Sequence, residues 1–148
     1  MHQELKLDNQ LCFKIYSRSK SIVRIYGPLL SEIDLTYPQY ITMMIMWEHK
    51  KLSFKEISAK LKMKTGTLTP ILNKLESNGY IEKIKDEKDD RKIYVAITEK
   101  GLEIQNKAKD IPKRIVENLN LSESDYHKYI KEFDDLEKSL DCIEKYIK

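Results

Sequence analysis

The stretch from Lys51 to Gly101 constrains the fold most, because the sequence patterns of two helices and two strands follow one another there. Ser53 and Glu56 have the spacing of a capping box, in which the hydroxyl accepts a helix N–H and the carboxylate accepts the N–H of the cap residue. The segment 65–77 then places four apolar side chains on one face at helical spacing: Leu68, Ile71, Leu72 and Leu75. Asn78-Gly79 ends this segment, because glycine tolerates left-handed geometry. The pattern predicts two short consecutive helices.

Two runs typical of strands follow at 80–85 and 93–98, separated by a charged loop. In the second run Ile93, Val95 and Ile97 alternate with other residues, which is the period of a half-buried strand. Two short helices followed by two strands form the arrangement of a winged helix-turn-helix, in which one helix enters the major groove of DNA and the wing reaches the adjacent minor groove. The alternative is a helical hairpin and a β-hairpin that serve only as a scaffold.

The second helix carries most of the residues that we expect to contact DNA. Its face opposite the leucines consists of short hydrogen-bonding groups and one cation: Thr65, Thr67, Thr69, Asn73 and Lys74. Such side chains can bond base edges or phosphate oxygens. Pro70 lies near the start of this helix, where a missing backbone donor costs least.

The distribution of charge supports a DNA-binding function. The chain has a net charge of +3, but residues 51–100 hold 12 Lys and Arg against 8 Asp and Glu. Residues 1–50 hold 6 against 5, and residues 101–148 hold 9 against 11. The positive excess therefore falls on the segment that would meet phosphates. The excess is small, and its positive sign alone does not distinguish a DNA-binding surface from an ordinary solvated surface.

Helical segments are predicted on the N-terminal side of this unit. Asp8 is the expected cap of a helix that runs to about Tyr26, where Gly27-Pro28 breaks the pattern before a short helical piece at 29–33. Thr36 and Gln39 have the spacing of another capping box, with a proline in the first turn. The apolar segment 40–47 that follows predicts a helix buried on nearly all sides.

The C-terminal third is also predicted to be helical. Pro112 should kink or break a helix that spans about 99–118. A last helix begins at Ser122, and its apolar residues recur as three heptads: Tyr126, Tyr129, Phe133, Leu136, Leu140, Ile143 and Ile147. Such a stripe predicts packing against a helix of a second copy, and the alternative is packing within one chain.

The chain is therefore predicted to be mainly α-helical with a small β-hairpin wing. We expect a single domain over 1–148, with a winged helix-turn-helix core at 36–100 and dimerisation arms at 1–35 and 101–148. No apolar run approaches the roughly 20 residues of a bilayer span, and the first ten residues are too polar for a signal peptide, so a cytoplasmic location is expected. Cys12 and Cys142 form no metal-ligand spacing with the three histidines, so no metal or other cofactor is expected.

Several motifs resemble the MarR family of dimeric bacterial transcription regulators, and the resemblance covers nearly the whole chain. The wing segment Asp89–Arg91 is similar to the D-x-R signature of that family, although Lys92 stands where a serine or threonine is common. The segments Leu7–Phe13, Asp34–Tyr40 and Gly66–Pro70 are similar to the organic-hydroperoxide-sensing OhrR branch and its oxidation-sensing relatives SarZ and MgrA. Before Gly66 the chain has Lys64-Thr65, where relatives tend to have an acidic residue and serine.

The resemblance implies a redox site around Cys12. Cys12 would be the peroxidatic cysteine, Tyr26 and Tyr37 would be phenols that reach it from the other subunit, and Tyr16 would line the site. A position near a helix N-terminus favours thiolate, the form that peroxide oxidises to sulfenic acid. Without the resemblance, a lone cysteine on an apolar helix face is usually a small hydrophobe. Cys142 is either a resolving thiol or a plain packing or exposed thiol.

The resemblance also implies a mechanism. We expect a homodimeric repressor that binds a pseudo-palindromic operator in double-stranded DNA and leaves it when Cys12 is oxidised by an organic hydroperoxide or another oxidant. Arg91 would enter the minor groove, and Asp89 would orient it. One alternative is a regulator that responds to a small aromatic ligand in the dimer pocket. A thiol peroxidase is the other, but no adjacent resolving cysteine is present and an enzyme is not expected.

Overall fold

The computed structural model describes residues 2–87, 89 and 91–144, with only the backbone described at 144. After two 3₁₀ turns at Gln3–Leu5 and Leu7–Asn9, the elements are α1 (Leu11–Ser31), α2 (Tyr37–His49), β1 (Lys51–Ser53), α3 (Phe54–Leu61), α4 (Thr65–Ser77), β2 (Ile81–Lys85), β3 (Ile93–Ile97), α5 (Glu99–Ala108), α6 (Ile111–Asn118) and α7 (Glu123–Glu144). The chain forms two compact units, Met1–Lys109 and Asp110–Lys148. The first unit thus includes α5, which the predicted division at residue 100 assigns to the C-terminal arm.

The first helix differs from the prediction at both ends. Asp8 lies in a 3₁₀ turn and does not cap α1, whose N-cap is Gln10 without a side-chain cap bond. At the other end α1 continues through Gly27-Pro28 to Ser31. Leu29 and Leu30 follow the proline and are 6% and 1% exposed. Their burial outweighs the local cost of a proline inside a helix.

The second helix forms the centre of the first unit. The predicted capping box at its start is confirmed, since the backbone N–H of Thr36 donates to Gln39 Oε1 at 2.8 Å. The helix packs against α1, α3, α4 and α5. Its apolar character on most sides matches this position, and Met43 and Met46 are completely buried.

The helix-turn-helix elements have the predicted bounds. The capping box of α3 is confirmed, with Glu56 accepting the N–H of Ser53 at 2.7 Å. The helix α4 spans the predicted 65–77 and ends before Gly79, which has a φ of 76°. Pro70 is the sixth residue of α4, so it lies beyond the first turn, where a missing backbone donor would cost least. The hydroxyl of Thr69 donates to the carbonyl of Thr65 at 2.8 Å near this point.

The wing is a three-stranded antiparallel sheet in the order β1-β3-β2. The predicted hairpin of β2 and β3 is confirmed, with Lys83 opposite Val95. The strand β1 is absent from the prediction and pairs with the other edge of β3, so that Leu52 lies opposite Val95. Val95 is fully buried and anchors the sheet to the helices. The fold class predicted from the sequence, a winged helix-turn-helix with long flanking helices, is confirmed.

The start of α5 is fixed to the end of α4 and to α2. The hydroxyl of Thr98 accepts the N–H of Gly101 at 3.0 Å and donates to the carbonyl of Gly79 at 2.6 Å. The indole N–H of Trp47 donates to the carbonyl of Gly101 at 2.7 Å. These three hydrogen bonds connect α2, the C-terminal end of α4 and α5 within the first unit.

The second unit consists of α6 and α7. The predicted break near Pro112 is confirmed, because α5 ends at Ala108 and Pro112 lies in the first turn of α6. Ser122 accepts the N–H of Asp125 at 3.1 Å at the start of α7. Large apolar side chains of α7 are 42–55% exposed: Tyr129, Ile130, Phe133, Leu140 and Ile143. Tyr126 and Leu136 are half-buried, and Ile147 lies outside the described residues.

Candidate functional site

The helix α4 has two chemically distinct faces. Leu68, Leu72 and Leu75 are fully buried against the first unit. The residues predicted to contact DNA are all exposed: Thr65, Thr67, Thr69, Asn73 and Lys74. The helix therefore presents a row of hydrogen-bonding groups to the outside from a rigid apolar base.

A cleft of about 870 Å³ separates α4 from the wing. It is lined by Ser53, Phe54, Lys55, Glu56, Thr65, Thr69, Asn73, Lys83, Arg91, Lys92, Ile93 and Tyr94. Four of the predicted DNA contacts, Thr65, Thr69, Asn73 and Arg91, thus share one concave surface. Lys55 of α3 and Arg91 and Lys92 of the wing loop bring positive charge to it, so the surface suits a polyanion. Thr67, Lys74 and Asp89 do not line the cleft.

Asp89 holds the wing loop through hydrogen bonds with the main chain. The carboxylate of Asp89 accepts the backbone N–H of Arg91 at 3.1 Å. The backbone of Asp89 donates to Asp86 Oδ1 at 3.0 Å, and its carbonyl accepts the N–H of Lys92 at 2.8 Å. In these contacts Asp89 fixes the main chain at Arg91, as an aspartate in a turn commonly does. Arg91 itself is exposed.

Lys83 and Glu76 join β2 to α4 beside the cleft, and neither residue was predicted from the sequence. The ammonium of Lys83 donates to Glu76 Oε2 at 2.8 Å and also to Asn73 Oδ1. The backbone N–H of Lys83 donates to Glu76 Oε1 at 3.1 Å. Hydrogen bonds from Lys83 hold the pKa of Glu76 below its usual value, because they stabilise the charged carboxylate. No local pattern marks this contact, since a helix end and a turn lie between the partners.

Cys12 is the second residue of α1 and is exposed. It is therefore nearer the helix N-terminus than predicted, in the first turn of the helix. Cys142 is also an exposed free thiol, on α7. No disulfide is found among the described residues.

Two predicted tyrosines of the redox site are in contact. The rings of Tyr26 and Tyr37 have centroids 4.9 Å apart, and Tyr40 lies 5.9 Å from Tyr26. Burial raises the pKa of Tyr40, which is 3% exposed. Tyr16 lies apart from this group, at 62% exposure, and its hydroxyl accepts a hydrogen bond from Lys20 at 2.9 Å.

The sulfur and the tyrosine pair lie at opposite ends of α1. Cys12 and Tyr26 are fourteen residues apart on one uninterrupted helix, which at 1.5 Å per residue separates their backbones by about 21 Å. A phenol cannot cover that distance with its side chain. The Tyr26 and Tyr37 phenols of a chain therefore do not meet the Cys12 sulfur of the same chain. Tyr16, one helical turn from Cys12, is the nearer of the two predicted tyrosines on that helix.

The described residues contain neither a cluster suited to a metal ion nor a helix suited to a bilayer. No group of three His, Cys, Asp or Glu side chains in that part of the chain is arranged to hold a metal ion. None of the helices within the described ranges has the length and apolar character that a bilayer span requires.

The paired helices α3 and α4, the wing and the polar face of α4 define a winged-helix transcription regulator. Residues 24–108 match the family described as Transcriptional regulator SarA/Rot. The chain is 40% identical over 112 residues to the Organic hydroperoxide resistance transcriptional regulator of Bacillus subtilis strain 168, covering 76% of each. It is 38% identical over 117 residues to SarZ of Staphylococcus aureus strain USA300, covering 79% of each. The chain belongs to the MarR family of winged-helix regulators, in the group that includes OhrR and SarZ.

Solved structures of AbfR from Staphylococcus epidermidis resemble the chain over nearly its whole length. Reduced AbfR bound to DNA has a TM-score of 0.78 at 27% identity, covering 96% of this chain and 98% of that one. The disulfide form of AbfR has a TM-score of 0.63 at 27% identity, covering 95% and 94%. The predicted family is therefore confirmed. The chain is a DNA-binding transcription regulator and not an enzyme, since its relatives are named as regulators.

Proposed function

We propose that the chain is a homodimeric repressor that leaves its operator when Cys12 is oxidised by an organic hydroperoxide or a related oxidant. The observation that carries this proposal is the separation of about 21 Å along α1 between the Cys12 and Tyr26 backbones. A sulfur at one end of a rigid helix and a phenol pair at the other can meet only between two chains. Two relatives support oxidation as the signal. The Bacillus regulator is named for organic hydroperoxide resistance, and AbfR has been solved in a reduced form and in a disulfide form. Such a repressor works in the cytoplasm, where bacterial DNA lies.

The oxidation step is simple and balanced. The Cys12 thiolate attacks one oxygen of the hydroperoxide, an S–O bond forms, the O–O bond breaks, and the organic alkoxide leaves as an alcohol after taking a proton. The product is a sulfenic acid. Phenol hydroxyls from Tyr26 and Tyr37 of the partner would donate to the thiolate and then to the new oxygen without bringing a charge into the pocket.

The stripe of exposed apolar side chains on α7 supports the dimer. Five large apolar residues of this helix are 42–55% exposed in the single chain. A soluble protein rarely leaves such a continuous surface in water, and a second copy with the same stripe would cover it. Two heads could then engage two half-sites of a pseudo-palindrome, each with α4 in the major groove and Arg91 in a flanking minor groove.

Oxidation would reach DNA binding through α2. Tyr37 is the first residue of that helix, and α2 packs against α4. An added oxygen on Cys12 would displace the phenols and shift α2, which would alter the separation of the two α4 helices. Two half-sites are read together only when this separation matches the operator.

The test compares two single-cysteine replacements. The operator is first obtained by selection from a random duplex library. Wild type, Cys12→Ser and Cys142→Ser are then titrated onto it before and after one equivalent of cumene hydroperoxide. We expect wild type and Cys142→Ser to lose at least tenfold in affinity on oxidation, and Cys12→Ser to lose none. Intact-mass measurement in parallel should show one added oxygen, or the disulfide formed from it, only where Cys12 is present.

Two outcomes would contradict the proposal. Release of Cys12→Ser at the same dose of hydroperoxide would show that the sensor lies elsewhere. Wild type that consumes many equivalents of hydroperoxide with a thiol reductant, without leaving DNA, would indicate a peroxidase. If reduced wild type is instead released by aromatic acids in a calorimetric titration, the alternative of a small-ligand regulator takes its place.

A further inference from the structure

Lys83 of the wing strand holds the side chain of Asn73 on α4. We propose that Lys83 is a specificity-determining positioning residue, which holds the oxygen of the Asn73 amide and so turns the N–H donors of that amide towards DNA. The inference rests on the proposed function of α4 as the helix that reads the major groove. It adds a residue outside that helix which selects the kind of base edge that the helix accepts.

The orientation of the amide follows from the chemistry of its partner. The oxygen and nitrogen of an asparagine amide are hard to distinguish from position alone. A lysine ammonium, however, has three donors and no acceptor, so only the oxygen of Asn73 can face it. The nitrogen of Asn73, with its two N–H groups, must therefore be directed away from Lys83.

Glu76 keeps Lys83 in this place. One carboxylate oxygen accepts from the ammonium at 2.8 Å, and the other accepts from the backbone N–H of the same lysine at 3.1 Å. The lysine side chain is only 23% exposed. A glutamate is charged at neutral pH, and the hydrogen bonds from Lys83 lower the pKa of Glu76 further. The positive charge of Lys83 is thus already paired, so Lys83 is poorly placed to serve as a phosphate contact.

This arrangement restricts what Asn73 can recognise. An asparagine that selects adenine uses both ends of its amide, accepting from N6 and donating to N7. In this chain Lys83 occupies one of the two lone pairs of that oxygen and holds the oxygen towards the wing strand, out of the bidentate orientation. The remaining donors suit N7 and O6 of guanine or O4 of thymine, which are acceptors only. At the base pair that Asn73 meets, adenine should therefore be disfavoured.

The experiment is a selection of binding sites from a random duplex library, followed by affinity measurements on operators that differ at one base pair. Asn73→Ala identifies the base pair that Asn73 reads, because that variant loses the preference there. We expect wild type to rank adenine below guanine or thymine at this position. Lys83→Met should free the amide oxygen and raise the relative affinity for adenine by about tenfold, the scale of one bidentate base contact.

Two further variants serve as controls, and a third repeats the test in a background without the Glu76 charge. Lys83→Arg keeps a donor-only cation and should keep the wild-type ranking of bases. Lys85→Met makes the same change two residues along β2 and should leave the ranking unchanged. If Lys83→Met fails to fold because Glu76 is left unpaired, Lys83→Met combined with Glu76→Gln provides the same measurement. Thermal unfolding of each variant checks that the fold is intact.

The salt dependence separates positioning from phosphate contact. A residue that neutralises a phosphate changes the slope of log K against log salt by about 0.9 when it is removed. We expect Lys83→Met to keep the wild-type slope. A slope reduced by about that amount, with the ranking of bases unchanged, would overturn the inference and make Lys83 a phosphate contact.

The experiment distinguishes failure of the positioning role of Lys83 from failure of base reading by α4. If Asn73→Ala changes the base preference but Lys83→Met does not, the positioning inference is wrong and the reading function of α4 stands. If Asn73→Ala changes no preference at any position, Asn73 does not read a base, and the proposed contact of α4 at this point fails as well.

Discussion

At the residue scale, Gly101 occupies a position that has no room for a side chain. A Cβ atom there would lie 2.1 Å from the carbonyl oxygen of Tyr80 and 2.8 Å from Cγ1 of Ile97. Both distances are shorter than real Cβ contacts. The close approach brings α5 against the end of α4, where the Gly101 carbonyl accepts the indole N–H of Trp47. The glycine is required by packing, since the obstacle is backbone that cannot move aside.

Gly101→Ala should therefore destabilise the protein. We expect the free energy of unfolding to fall by about 1–3 kcal/mol, the usual range for overpacking a rigid site. Urea unfolding monitored by circular dichroism measures the change. Gly66→Ala is the matched control, because nothing lies within 4 Å of a Cβ at that helical position. That variant should gain about 0.5–1 kcal/mol from its lower unfolded-state entropy. Equal stability of the two variants would mean that the contact at Gly101 relaxes freely.

Residues that act within one turn could be predicted, and residues that act across the fold could not. Both capping boxes were predictable, because Ser53 and Thr36 each lie three residues before their partners. The predicted cap at Asp8 is wrong, since a 3₁₀ turn at Leu7–Asn9 moves the start of α1 to Leu11. The contacts of Lys83 with Glu76 and Asn73 depend on how β2 folds back on α4, which no local pattern specifies.

At the scale of the element, the wing depends on a central strand with partners on both sides. The strand β3 could be predicted from its alternation of apolar residues. The strand β1 could not, because a three-residue segment with one buried side chain is defined only by its pairing with β3. The continuation of α1 past Pro28 has a similar origin. Burial of Leu29 and Leu30 decides it, and a local rule about proline predicts the opposite.

The wing should contribute to DNA binding through Arg91. Arg91→Ala removes a cation that lines the cleft beside α4. We expect affinity to fall about tenfold or more on operators with an A·T-rich flank, since a narrow minor groove concentrates negative potential around an arginine. Fluorescence anisotropy on duplexes with A·T-rich and G·C-rich flanks measures this difference.

The control for the wing is Lys107→Ala, which makes the same change of charge on an exposed residue of α5 outside the cleft. That variant should bind nearly as wild type does. Wild-type affinity of Arg91→Ala on both kinds of flank would remove the wing loop from the mechanism. An equal loss on both flanks would indicate a phosphate contact without a preference for groove width.

At the scale of the whole molecule, the heptad pattern of α7 predicts that the helix pairs with a second chain. The relatives of the chain confirm its family and fold. The helix and its apolar stripe could be predicted from the sequence, because the heptad pattern repeats over many residues. The pairing of two chains stays a prediction, since symmetry between copies is not encoded in any one segment. The same holds for the contact of Cys12 with the phenols of a partner.

The apolar stripe of α7 gives a direct test of the dimer. Phe133→Glu places a charge in the middle of the stripe, at a side chain that is 55% exposed in the single chain. We expect it to shift the protein towards monomer by at least tenfold in the dissociation constant, because a buried unpaired carboxylate is costly. Sedimentation velocity over a concentration series measures the change.

Ser124→Glu is the matched control, since it adds the same charge at an exposed position on the opposite side of the heptad wheel. Its association should equal that of wild type. If Phe133→Glu associates as strongly as this control does, the stripe is not the surface by which two chains pair.

The junction between α2 and β1 has a mechanical consequence. Only Lys50 separates the two elements, and its carbonyl accepts the N–H of Ile97 at 2.9 Å, next to the ladder that joins β1 to β3. The helix that begins with Tyr37 is therefore joined to the wing sheet through a single residue. A small tilt of α2 would move the wing sheet with it, and the displacement would be largest at the tip of the wing. Release of DNA would then require no unfolding, only a rigid-body rotation that begins at Tyr26 and Tyr37.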